Sequence, residues 1–219
     1  RKRAPHYDRL PILGPSEVKV KFVDGKEVSD TVWHFIPAFS LTNQNGHAIG
    51  SKDLDSNISV VQFFFASCPT ICPGITSNLS GVFEKYNKLS DFKVFSISVD
   101  PIHDSVEVLA RYSQQHNPLA VSGAEPSSGN WHFLTGNRED IYNLAMKGFL
   151  VSASEDALSP GGFLHSELLV LLDRQRQIRG FYDGTDADEV KKLENGIKLL
   201  YAEYALKERR EKKPEVMRK

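Results

Sequence analysis

The chain of 219 residues contains two cysteines, Cys68 and Cys72, in the run Ser67-Cys68-Pro69-Thr70-Ile71-Cys72-Pro73. Two thiols are too few to staple a fold, and a chain of this length does not need stapling. The four-residue spacing is the informative feature. If the segment coils into a helical turn, both sulfurs point the same way, and Pro69 and Pro73 stiffen the turn. The unpaired N–H groups of a helix N-terminus favour the thiolate form. Three readings compete: two small buried residues without chemistry, a redox dithiol, and a soft-metal site. Redox dithiols more often separate their cysteines by two residues than by three. Two thiolates suit Cu(I) above all and Zn(II) second. A structural zinc site wants four ligands, and no further cysteine is present. Copper is satisfied by two sulfurs and one nitrogen.

Seven histidines are candidates for that nitrogen. His6 lies in a basic N-terminal arm and His47 in a turn. His34 precedes a strand, and His132 follows Trp131 within one. His116 ends a helix, where a cation offsets the helix dipole. His103 sits in a loop leaving a strand. His165 follows Pro160-Gly161-Gly162 and opens a closing hairpin, a position that can overlook the cysteine corner. A lone histidine is more often a hydrogen-bonded structural residue than a ligand, so the residues alone leave the choice open.

The elements that must position these groups follow from patterning. Ile58 to Ala66 is apolar at nearly every position, which predicts a strand buried on both faces. It runs into the cysteine segment, and strand ends in open α/β sheets are where sites form. Apolar Ile75, Leu79, Val82, Phe83 and Tyr86 predict a helix over 74–89. Phe92 to Val99 is a second buried strand, ending at Asp100-Pro101. Asp104 is expected to cap a helix over 105–116. Trp131 to Leu134 is a short strand, and Asn137 caps a helix running to Lys147. Leu168 to Leu172 and Gln177 to Tyr182 read as antiparallel strands, before a long helix over 186–211. Upstream, alternation over 17–23 and Asp24-Gly25 signal a hairpin with its return strand starting at Lys26. Residues 35–41, followed by Asn43-Gln44-Asn45-Gly46, suggest a second hairpin. Segments 120–130 and 152–162 read as polar loops. This order predicts an α/β fold, a thioredoxin-like sheet with an N-terminal hairpin extension. Its expected boundaries are an arm over 1–16, a domain over 17–206 and a charged tail over 207–219.

A net charge of −1 provides no general basic field for nucleic acid or an anionic membrane. No apolar run approaches the ~20 residues that span a bilayer.

The cysteine run resembles the Cys-Pro-x-x-Cys-Pro signature of the Sco/SenC family of copper proteins, which support cytochrome c oxidase assembly. Ser96-Ile97-Ser98-Val99-Asp100-Pro101 is similar to the family's strand-end motif, and Trp131-His132-Phe133-Leu134-Thr135-Gly136 to its next strand. Phe163-Leu164-His165-Ser166 is similar to the segment carrying the family's histidine ligand. Many relatives have an acidic residue before that histidine, where Leu164 stands here. The likeness runs in order from about residue 35 to about residue 205. It implies a thioredoxin fold and ligation of Cu(I) or Cu(II) by Cys68, Cys72 and His165. Asp100, ending the neighbouring strand, is a candidate carboxylate near the metal; its alternative reading is a turn aspartate before Pro101. The implied role is a monomeric metallochaperone that passes copper from a donor to an oxidase subunit. The implied place is extracytoplasmic, in the bacterial periplasm or the mitochondrial intermembrane space, with a tethering N-terminal helix that this sequence lacks. The alternative is a thiol–disulfide reductase acting on the partner's cysteines through Cys68 and Cys72, in either order.

Overall fold

The computed structural model describes residues 9–23, 26–118, 130–151, 154–155, 163–164 and 166–211. Within these the chain opens with an antiparallel ribbon. β1 (Ser16–Val23) pairs with β2 (Lys26–Trp33) from Ser16 opposite Trp33 to Val23 opposite Lys26. The expected second hairpin is also present, as β3 (Ser40–Asn43) and β4 (Ala48–Gly50). Its turn is fixed by Asn43, whose Oδ1 accepts the N–H groups of Asn45 and His47 at 3.0 and 2.9 Å.

The ribbon forms its own sheet, and the body is built on a seven-stranded one. The remaining strands of that sheet are β5 (Ile58–Phe64), β6 (Phe92–Ser98), β7 (Trp131–Thr135), β10 (Leu168–Leu172) and β11 (Ile178–Asp183). A separate short pair, β8 (Ser154–Glu155) with β9 (Phe163–Leu164), bounds the second polar segment. The order across the large sheet is β11-β10-β5-β6-β7-β3-β4. β5, β6 and β7 run parallel, and antiparallel strands flank them on both sides. This central trio is joined by α1 (Cys72–Tyr86) and α2 (Val106–His116). α1 packs against α2 and against the long C-terminal helix, Ala187–Glu211.

β5 is buried at all seven positions. Phe64 meets Tyr112 of α2 at 5.0 Å between ring centroids, while its neighbour Phe63 meets Phe149 at 5.4 Å. Alternate side chains leave a strand on opposite sides, so the unbroken apolar run serves two cores at once.

Several boundaries differ from the sequence reading. The cap of α2 is Ser105, whose side chain accepts the Val108 N–H, and Asp104 turns into the protein instead. α1 starts at Cys72 rather than Gly74. Asn137 does cap α3 (Arg138–Asn143), accepting from Glu139 and Asp140, but the helix then widens into a π turn over Leu144–Gly148. The C-terminal helix, by contrast, ends at Glu211 as expected. The part of the arm from residue 9 onward is fastened to the body. The buried Arg179 guanidinium donates to the carbonyls of Leu10 and Pro11 while pairing with Asp173 and Glu203.

Candidate metal centre

β5 ends at Phe64 and α1 begins at Cys72, so the cysteine loop sits where a central parallel strand hands over to a helix. No side-chain oxygen caps α1 at Ile71. The Cys72 N–H instead points at Cys68 Sγ, 3.4 Å away, and the Thr70 hydroxyl lies 3.9 Å from the same sulfur. Cys68 thus occupies the place of a helix cap. The two thiols are not joined as a disulfide and both are buried.

Their environments push them apart. Burial works against ionisation of Cys68. It is outweighed by hydrogen bonds from the Cys72 thiol, the N–H groups of Thr70 and Cys72 and the Thr70 hydroxyl, which together hold Cys68 below its ordinary pKa. Burial drives the Cys72 thiol far up, and its hydrogen bond to Cys68 adds to the rise. Cys68 is therefore the more readily ionised thiol of the pair and Cys72 the one that keeps its proton. Iodoacetamide is expected to modify Cys68 first, with a rate that rises through a lower midpoint than that of Cys72. Mass spectrometry of partially alkylated protein checks this; Cys72 modified first would contradict it.

The floor of the loop holds two buried carboxylates, Asp104, read from the sequence as a helix cap, and Asp100, read as a carboxylate near the metal. The Asp104 carboxylate, 1 % exposed, accepts the Ala66 N–H at 2.9 Å and the Ser98 hydroxyl. It ties the loop after β6 to the residue two before Cys68. Asp100 is also buried, and His103 Nδ1 lies 2.9 and 2.8 Å from its two oxygens. Behind α1 runs a buried polar row. Tyr112 OH donates to Thr76 Oγ1 at 3.2 Å, Gln62 Nε2 contacts Thr76 at 3.3 Å and Ser96 Oγ at 2.8 Å, and Trp131 Nε1 donates to Ser96 at 2.9 Å. Burial lifts the Tyr112 phenol to about 12, with Cys72, Cys68 and Asp104 contributing charge. Gln62 was the legible sign of this row, a long polar side chain inside a mostly apolar strand.

Two thiols fit a soft cation, but the described residues contain no group of three or more His, Cys, Asp or Glu that could hold a metal ion. His34 is committed to the Gly148 carbonyl at 2.6 Å. His116 packs on Tyr112 with ring centroids 4.2 Å apart, and burial lowers its pKa, which works against the helix-end cation expected from its position. His132 is buried against Phe95, and His47 sits at the tip of its hairpin. His6 and His165 lie outside the described residues.

A family model described as SCO1/SenC matches residues 29–198. The chain belongs to the SCO1/SenC family. An SCO2-like protein of Rickettsia prowazekii is 31% identical over 161 residues, covering 71% of this chain and 73% of the relative. A SCO1 protein homolog of Bacillus subtilis is 29% identical over 127 residues, covering 57% and 62%. Among solved structures, a SCO1/SenC family lipoprotein from Bacillus anthracis superposes with a TM-score of 0.67 at 26% identity, covering 77% of this chain and 95% of that one. Copper-bound yeast Sco1 superposes with a TM-score of 0.59 at 24% identity, covering 83% and 96%, and shares the fold. The thioredoxin-like architecture expected from the sequence is thus the fold of this Sco domain. β1 and the first residues of β2 precede the matched stretch, so most of the N-terminal ribbon is an addition to the family's common part. No helix among the described residues is long and apolar enough to cross a membrane.

Proposed function

We propose that this Sco protein carries a single copper ion on Cys68, Cys72 and His165 and delivers it to the copper site of a cytochrome c oxidase subunit. The observation that carries the reading is the cysteine pair itself: two reduced thiols at the N-terminus of α1, with the Cys72 N–H directed at Cys68 Sγ at 3.4 Å. A helix N-terminus favours the thiolate form, and thiolates are the soft donors that suit Cu(I). The copper-bound relatives from yeast, Bradyrhizobium japonicum and Arabidopsis thaliana, which share the fold, agree with it.

Two features support His165 as the third ligand. Glu167, two residues further on, accepts the Gly184 N–H through its carbonyl at 2.9 Å. Gly184 in turn packs so closely on the first turns of α1 that a Cβ there would come 2.7 Å from Ile75 Cγ2. The chain leaving His165 therefore runs beside the helix that begins at Cys72. Asp100, at the end of β6, contributes from behind His103 rather than as a ligand. The protein works outside the cytoplasm, as the lipoprotein relative and the mitochondrial relative from Arabidopsis suggest.

The test is His165→Ala. Cu(I) tolerates two thiolates, whereas Cu(II) prefers a tetragonal set with nitrogen or oxygen donors. The variant is expected to bind Cu(I) with modest loss and to reduce or release Cu(II). Copper(II) titration followed by visible absorption and electron paramagnetic resonance reads this directly. A wild-type spectrum and lifetime in the variant would remove His165 from the site.

The split between Cys68 and Cys72 also favours thiol–disulfide exchange on a partner. A thiolate beside a protonated thiol is what such exchange requires, with Cys68 attacking and Cys72 resolving. Rapid turnover of a disulfide substrate that copper leaves unchanged would make this the main activity.

A further inference from the structure

We propose that His103 is an entry ligand for copper, a solvent-facing imidazole that receives the incoming ion before the cysteine pair does; this rests on the copper reading above. A carboxylate only accepts hydrogen bonds. With Asp100 oxygens at 2.9 and 2.8 Å, Nδ1 of His103 must carry the proton, which leaves the lone pair of the neutral ring on Nε2. A carboxylate holding one ring nitrogen so that the other can bind a metal is the usual support of a histidine ligand.

The burial is lopsided in a telling way. The Asp100 side chain is 5 % exposed, and the His103 side chain 75 %. Burying a carboxylate is costly unless it is hydrogen-bonded, and a hydrogen bond from so exposed a partner adds little net stability. What the arrangement secures is the direction of an imidazole in water. The backbone makes the mounting rigid. The Asp100 carbonyl accepts the N–H groups of both His103, at 3.2 Å, and Asp104, at 2.9 Å. The Asp104 carboxylate then holds the Ala66 N–H, two residues before Cys68. The turn carrying His103 and the loop carrying Cys68 are thereby one tied unit.

His103 does not complete the cysteine site, since the described residues hold no three-group cluster. A single imidazole binds copper weakly and releases it readily, which suits a point of transit. Cu(I) arrives on a weak carrier ligand. The Nε2–copper bond forms as a carrier bond breaks, and Cys68 thiolate then displaces Nε2. Cys72 joins as its proton passes to water. The copper remains Cu(I) throughout, so no oxidant or reductant is consumed.

The experiment is anaerobic stopped-flow uptake of Cu(I), supplied as its acetonitrile complex, by reduced wild-type protein and His103→Ala. His103 is exposed, so the variant should fold. Uptake, read by thiolate-to-copper absorption, is expected to slow about tenfold. Stoichiometry and equilibrium affinity, from competition with a chromophoric chelator, should stay unchanged. In a Cys68→Ser/Cys72→Ser double variant, Ag(I) should shift the His103 Nε2 resonance in 15N spectra. An unchanged uptake rate overturns the proposal. So does a loss of stoichiometry, which would make His103 a resident ligand. If the wild-type protein takes up no copper at all, the copper reading itself has failed, and that is seen before any variant is compared.

Discussion

Reduced protein is expected to take up about one copper ion, and protein with Cys68 and Cys72 joined as a disulfide to take up none at this site. A disulfide sulfur has no thiolate charge to offer a cation. No other grouping of ligands among the described residues can compensate. Cys68→Ser should lose copper as completely as oxidation does, because it removes the more readily ionised of the two sulfurs. The pH dependence follows from the asymmetry of the pair. Above the lowered Cys68 value that sulfur is already deprotonated, whereas Cys72 still holds its proton. Copper binding must therefore expel about one proton, and affinity should fall about tenfold for each unit that pH decreases in this range. Below the Cys68 value a second proton competes and the slope steepens. Metal analysis of reduced, oxidised and Cys68→Ser protein, with affinity measured across pH, checks each part. Equal uptake by reduced and oxidised forms would locate copper elsewhere, on surface histidines.

Asp104→Ala is expected to destabilise the fold by about 2–4 kcal/mol and Asp104→Asn not at all. Alanine leaves the Ala66 N–H and the Ser98 hydroxyl without the oxygen that now accepts from both. Asparagine presents an oxygen in the same place and no charge. Burial raises the Asp104 pKa, more than its two hydrogen bonds lower it, and Asp100 adds to the rise. A carboxyl raised in the folded state supports folding fully below its unfolded value of about 3.9, and that support is lost as pH rises through the folded value. At neutral pH the ionised group is thus a cost, which Asp104→Asn removes. The asparagine variant should exceed wild type in urea stability at pH 7, and the gap should close on acidification toward about pH 4. Copper affinity should fall about tenfold in Asp104→Ala, as when a group supporting a ligand is lost, and hold in Asp104→Asn. Wild-type stability in the alanine variant would show that Asp104 does not anchor the loop.

What the sequence alone determined is the set of local and periodic features. The apolar run of β5 announced a strand buried on both sides because every second position must find its own core. The ribbon, the Asn43 turn and the Asn137 cap were legible because each is decided by residues within a few positions of one another. The cysteine motif was legible for the same reason: spacing, proline and helix onset are local. Tertiary structure decided the rest. Asp104 and Ser105 are equally good caps by type, and the choice fell to Ser105 because Asp104 is drawn inward to an N–H group 38 residues away in sequence. The partner of Asp100 depends on how a four-residue turn closes. Which cysteine keeps its proton depends on depth and hydrogen bonding that the spacing does not contain, since both lie in one symmetric-looking motif. Hydrogen bonds within the motif itself lower the Cys68 thiol, but only burial under distant segments drives Cys72 up and separates the two sulfurs.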